Sequence, residues 1–200
     1  MKLSDERYEY IKEIVCDLLF RLRVKCMPVS GFEIASKLKI TLVPYSSLSK
    51  RKLEEALKID PDGFYCENNA HEFGKEYIYY NDIDCSYRRI NMTILHEIGH
   101  CVLDHIGNSE EEEAEAKFFA KYAIAPPVLV HKIHPFCPEQ IMEYFDISYQ
   151  AAIYSFNYYR TWKALDALRD EYPEYEQKLL KLYRINKRSG IGGDDIYECI

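Results

Sequence analysis

Apolar positions along this chain recur mostly at helical spacing and alternate in only a few short stretches. Tyr8, Ile11, Val15, Leu18, Leu19 and Leu22 fall on one side of a helix, so residues 4–24 read as an amphipathic helix. Ser30 followed by Glu33 is a capping-box pattern for a short helix running to Lys39. Residues 40–44 read as a strand ended by Pro44, and residues 49–58 as another short helix. Pro61-Asp62-Gly63 marks a turn into a second strand, Phe64-Tyr65-Cys66, and residues 76–80 make a third.

A longer helix is expected from Asp84, its predicted N-cap, to about Asp104. The next covers residues 110–125 and stops at Pro126-Pro127, because proline lacks the N–H a helix needs. Helices are then expected from Pro138, over residues 148–168 and over residues 173–186, before a glycine-bearing tail that should be loose from about residue 188. The order of helices, short strands and helices predicts an α+β fold. Its small antiparallel sheet of about three strands would pack on helices, followed by a helical C-terminal part. The expected division is a main domain over residues 1–135, with a helical extension over residues 136–200 packed on it.

Composition narrows the class without naming it. Apolar residues at 48% and charged residues at 30% suit a soluble globular protein. A formal net charge of −7 with no long Lys/Arg block argues against nonspecific nucleic-acid binding, and no direct nucleic-acid partner is expected. The polar N-terminus lacks a secretory apolar region, and no run is long enough to span a bilayer, so a cytoplasmic protein is expected. Seven scattered cysteines without a CxxC pair suggest reduced thiols rather than a disulfide framework.

Chemistry concentrates in His96-Glu97-Ile98-Gly99-His100. Two histidines four apart on a helix share a face and can hold one metal ion, with the intervening glutamate placed as a general base. On a helical wheel His100 falls about 40° from His96. Ile90, Ile94, Leu95, Ile98, Cys101 and Val102 take the opposite side. The histidines therefore face a cleft or solvent rather than the core. Gly99, between them on an interior turn, suggests close approach of another backbone. Arg89 and Thr93 share the histidine face and are weaker candidates for substrate or supporting contacts.

Catalytic zinc sites usually have three protein ligands. The acidic run Glu110 to Glu113, followed by Glu115, supplies the candidates for the third. Glu115 shares its face with Phe118, Phe119 and Tyr122, where a carboxylate is costly unless paired, so it is the expected third ligand, with Glu111 as the alternative. Glu113 points on the wheel with Lys117 and Lys121 toward solvent, and Glu110 and Glu112 are read as solvated too. His105 falls opposite His96 on the same wheel. It reads with His71, His131 and His134 as an ordinary surface histidine.

The HEIGH motif, the acidic linker, Glu115-Ala116-Lys117-Phe118-Phe119-Ala120 and the closing Ala125-Pro126 resemble the ImmA/IrrE family of zinc metallopeptidases. The lead-in, Ile78-Tyr79-Tyr80-Asn81 and then Tyr87-Arg88-Arg89-Ile90, is similar as well. The resemblance covers roughly residues 25–130. It implies a zincin-like active-site helix and one Zn²⁺ per chain held by His96, His100 and Glu115, with Glu97 as the base. It also implies a cytosolic endopeptidase whose substrate is a helix-turn-helix repressor, cleaved to derepress genes of a mobile element or stress response. A non-catalytic module that regulates a transcription factor by contact is the alternative, and a peptidase of broad specificity is a third reading. Residues 76–80 could form a sheet edge that pairs with an extended substrate. Residues 138–160 outline a helix-turn-helix, but within that stretch the second helix offers Arg160 as its one cation, and it reads better as a structural pair or a protein-docking surface.

Overall fold

The structure is a computed structural model that describes residues 2–68, 75–107, 109–167 and 171–183. Its elements run α1 (Asp5–Arg21), α2 (Gly31–Leu38), β1 (Thr41–Pro44), α3 (Lys50–Ile59), β2 (Gly63–Asn68) and β3 (Lys75–Tyr80). Then follow α4 (Tyr87–Val102), α5 (Glu110–Ile124), α6 (Pro127–Val130), α7 (Pro138–Phe145), α8 (Tyr149–Asp166) and α9 (Glu174–Leu182). The expected α+β class is correct. Part of the expected last helix, His71, Cys199 and the C-terminal tail lie outside the described residues.

The three strands lie in the order β1-β3-β2, with β1 parallel to β3 and β2 antiparallel to it. The sheet is therefore mixed, which corrects the antiparallel expectation. Alternation along a strand identifies its buried face but not its direction. Here the chain passes through α3 and β2 before β3 returns alongside β1, and a long connection of that kind permits parallel pairing. β3 is consequently central, with Ile78 fully buried.

Two compact units divide the chain. One comprises Met1–Ser4 and Ser30–Ala120, the other Asp5–Val29 and Lys121–Ile200. They are drawn differently from the expected domains of residues 1–135 and 136–200. α1 belongs with the C-terminal helices, where Asp17 pairs with Lys178 of α9 at 2.8 Å and Glu9 accepts from the Tyr175 hydroxyl at 2.6 Å. In the same unit α7 and α8 form the expected helical pair, turning at Asp146, whose φ is 46°.

In the first unit, Ser30 caps α2 by accepting the Glu33 N–H at 3.4 Å, as the capping box predicts. The N–H of Gly31 donates to the buried Asn91 Oδ1 at 2.7 Å, joining the start of α2 to α4. The cap of α4 is Ser86, not Asp84. Ser86 is extended and its Oγ accepts the Arg89 N–H at 3.3 Å, whereas Asp84 has φ 53°, outside the extended range an N-cap adopts. Ile94, Leu95 and Ile98 are fully buried, so the core stripe of α4 runs where the wheel places it. Among the described residues the cysteines are free thiols, and no helix is long and apolar enough to cross a membrane.

Candidate metal centre

Four-residue spacing on α4 stacks His96 and His100 one turn apart. Their Nε2 atoms are 3.2 Å apart and their rings stand edge to face. The first turns of α5 bring in Glu113, with Oε1 3.3 Å from His100 Nε2 and Oε2 3.6 Å from His96 Nε2. Among the described residues, His96, His100 and Glu113 form the group that can hold a metal ion, all their ligand atoms lying within 4.8 Å of one another.

The spacing tests the fit. Donors about 2.0–2.1 Å from a tetrahedral ion stand roughly 3.3 Å from one another, close to the separations of His100 Nε2 from His96 and from Glu113 Oε1, while His96 faces the other Glu113 oxygen. The donors also have the right form. Burial, reinforced by His100, pushes His96 down to about 4, and burial lowers His100 as well. Both rings are therefore neutral at neutral pH, with a lone pair for a cation.

Glu97 is 6% exposed, and its Oε2 accepts the backbone N–H of Tyr65 at 2.8 Å. Its Oε1 lies 3.9 Å from His96 Nε2. Burial raises Glu97 to about 8 against the opposing Tyr65 N–H, with the charges of Asp60 and Glu113 adding to the rise. A cation between the histidines and Glu113 acts in the other direction, favouring the carboxylate.

The expected third ligand lies elsewhere. Glu115 is buried at 4% exposure, but its Oε2 is 2.9 Å from His105 Nε2, and Glu113 takes the place beside the pair. The wheel did not reveal this placement because it sought a third donor among the aromatics. His96 and His100 sit at the margin of the core, and so does Glu113, whose Oε2 also meets Lys117 Nζ at 3.3 Å. Glu111, the alternative, is exposed and outside the group. Glu112, read as solvated, accepts the N–H groups of Ile106, Gly107 and Ser109 at 3.2, 3.2 and 2.9 Å and so closes the loop between α4 and α5.

His105 is also misplaced by the wheel, because α4 ends before reaching it. Asp104 takes the left-handed conformation at φ 55°, and the His105 N–H returns to the His100 carbonyl at 3.0 Å. A helix end of this kind sets the second residue beyond the cap against the third from last, and those residues are His105 and His100. Had Asp104 been read as a left-handed stop, the sequence would have signalled this contact.

Arg89 pairs with Asp62, and the Thr93 methyl packs at Gly63, so both serve the start of β2 rather than the metal group. β3, the expected substrate-pairing edge, is flanked on both sides and cannot act as one. His131 accompanies Tyr159 and Trp162 in the second unit and belongs to no metal-holding group found among the described residues. The chain matches no family model and no curated protein sequence.

Proposed function

We propose that this chain is a zinc-dependent intracellular endopeptidase with His96, His100 and Glu113 as the metal ligands and Glu97 as the general base. The observation that carries the proposal is the gathering of His96, His100 and Glu113, one ligand atom from each within 4.8 Å of the others, with a buried carboxylate beside them. Two imidazoles and a carboxylate are the donor set of many catalytic zinc sites, in which a water takes the fourth position.

A bound Zn²⁺ supplies Lewis acidity toward the scissile carbonyl and lowers the pKa of water toward about 7. Glu97 takes the proton from the attacking water and returns it to the leaving amine. The Tyr65 N–H holds one oxygen of Glu97, so the other is the one that exchanges the proton. His96 and His100, neutral and one turn apart, orient the centre without titrating near neutral pH.

The resemblance to the ImmA/IrrE family is what nominates a helix-turn-helix repressor as the substrate. Co-expression with a repressor encoded beside this chain tests the target, and purified protein tests the chemistry. Wild type should cleave with zinc and stop with chelator, and Glu97→Gln should lose about 10²–10⁴-fold in rate. Zinc binding with equal cleavage by wild type and Glu97→Gln would remove the enzyme reading. Repressor inactivation without any cut would favour a module acting by contact.

A further inference from the structure

The histidine and the carboxylate that stand apart from the metal group are joined to it. His105 Nε2 lies 2.9 Å from Glu115 Oε2, and His105 Nδ1 lies 3.0 Å from His100 Nδ1. The side chains of His105 and Glu115 are 4% and 5% exposed, so water cannot readily replace either partner.

With Glu115 ionised and His105 neutral, the donor and acceptor chemistry of these groups leaves one arrangement. An ionised carboxylate only accepts, so His105 Nε2 carries a hydrogen and donates to Glu115. A neutral imidazole has one donor, so His105 Nδ1 presents a lone pair. His100 Nδ1 must then donate to it, which leaves the lone pair of His100 on Nε2. That nitrogen is the one 3.2 Å from His96 Nε2 and 3.3 Å from Glu113 Oε1.

We propose that Glu115 and His105 are positioning residues, a hydrogen-bonded chain that fixes His100 as its Nδ1–H tautomer and keeps Nε2 free for the metal. The consequence for metal binding rests on the reading of His96, His100 and Glu113 as the ligands; the tautomer does not. The fold holds the chain from both ends. The left-handed turn at Asp104 seats His105 against His100, their ring centroids 4.9 Å apart. Glu112 pins the N–H groups of Ile106 and Gly107 directly after it. Outer partners of this kind on metal-binding histidines typically contribute about 10–100-fold in metal affinity.

Two-bond ¹H–¹⁵N correlation spectra of the metal-free protein read the tautomers directly, and chelator competition reads zinc affinity. In wild type, His100 should be Nδ1–H and His105 Nε2–H. The double variant His105→Phe/Glu115→Gln avoids burying an unpaired carboxylate. It should release His100 into mixed tautomers and bind zinc about 10–100-fold more weakly. His105→Asn, which keeps an acceptor near the Nδ1 position, should return His100 to Nδ1–H. Finding His100 as Nε2–H in wild type, or an unchanged tautomer and affinity in the double variant, would overturn the proposal. A wild-type chain with the stated tautomers but no zinc affinity would support the hydrogen-bonded chain and overturn the metal reading instead.

Discussion

The backbone N–H of Tyr65, on edge strand β2, donates to Oε2 of Glu97 on α4 at 2.8 Å. The bond ties the sheet to the residue proposed as the base and leaves only one of its oxygens for chemistry. It also separates two substitutions. Glu97→Gln keeps an oxygen to accept the Tyr65 N–H, whereas Glu97→Ala strands that N–H and should cost about 1–3 kcal/mol. Urea unfolding of the metal-free variants should place Glu97→Ala below Glu97→Gln. Equal midpoints would remove the structural role given to this bond.

The same carboxylate carries a pH signature. Its folded value, raised by burial to about 8, lies above the ordinary 4.5. The unfolded chain therefore releases this proton first, and wild-type stability falls as pH rises from about 4.5 to about 8. Glu97→Gln lacks the group. Metal-free wild type should match the variant near pH 5 and fall behind it by pH 8, read as the difference between their unfolding midpoints. A pH-independent difference would contradict the burial assigned to Glu97.

Glu113 is the residue on which the proposed metal centre turns. Glu113→Ala removes one of three donors and should weaken zinc binding by more than the roughly 10–100-fold expected of a supporting residue. Glu111→Ala, an exposed neighbour outside the group, should leave affinity unchanged. Chelator competition on the two variants checks both outcomes, and equal affinities would remove Glu113 from the ligand set.

Much of this arrangement is legible without coordinates. The spacing of His96 and His100 and the core stripe of Ile94, Leu95 and Ile98 follow from helical periodicity on one element. What the sequence hides lies where elements meet or end. A wheel for α5 separates aromatic from charged faces, but cannot show that His96 and His100 lie on the border between them, so it does not reveal that Glu113 rather than Glu115 stands beside them. A wheel for α4 extended past Val102 sends His105 away from His100, whereas one left-handed residue, Asp104, brings it back. Strand direction and the central place of β3 depend on how the chain crosses over, which alternation does not encode.

Glu112 offers an acid test of the loop that holds His105. The N–H and hydroxyl groups of Ser109 and the N–H groups of Gly107 and Ile106 hold its carboxyl down at about 2, below the ordinary 4.5. The stabilisation is fully present above pH 4.5 and lost as pH falls toward about 2, because the unfolded chain takes up the proton first. Amide exchange at Ile106 and Gly107 should therefore lose protection over that window in wild type. Glu112→Gln should show weaker protection with no such transition, and an identical profile in the two proteins would count against the cap.

Gly99 links this geometry to packing. A Cβ built there would stand 3.2 Å from the Cα of Ala116 and 3.1 Å from Cδ1 of Phe119. Ala116 and Phe119 are fully buried, so neither offers an easy way out. Gly99→Ala would gain up to about 1 kcal/mol in helix propensity. It would also force α4 and α5 apart at a close contact, and overpacking typically costs about 1–3 kcal/mol. The packing cost should win, giving a lower unfolding temperature. His100 follows Gly99 directly on α4 and Glu113 precedes Ala116 by one turn on α5, so the same parting should stretch the pair and weaken zinc binding. Gly99→Ala/Phe119→Leu, which returns volume at the contact, should recover part of both losses. A Gly99→Ala protein as stable as wild type and as tight for zinc would mean that the two helices have slack where these distances leave none.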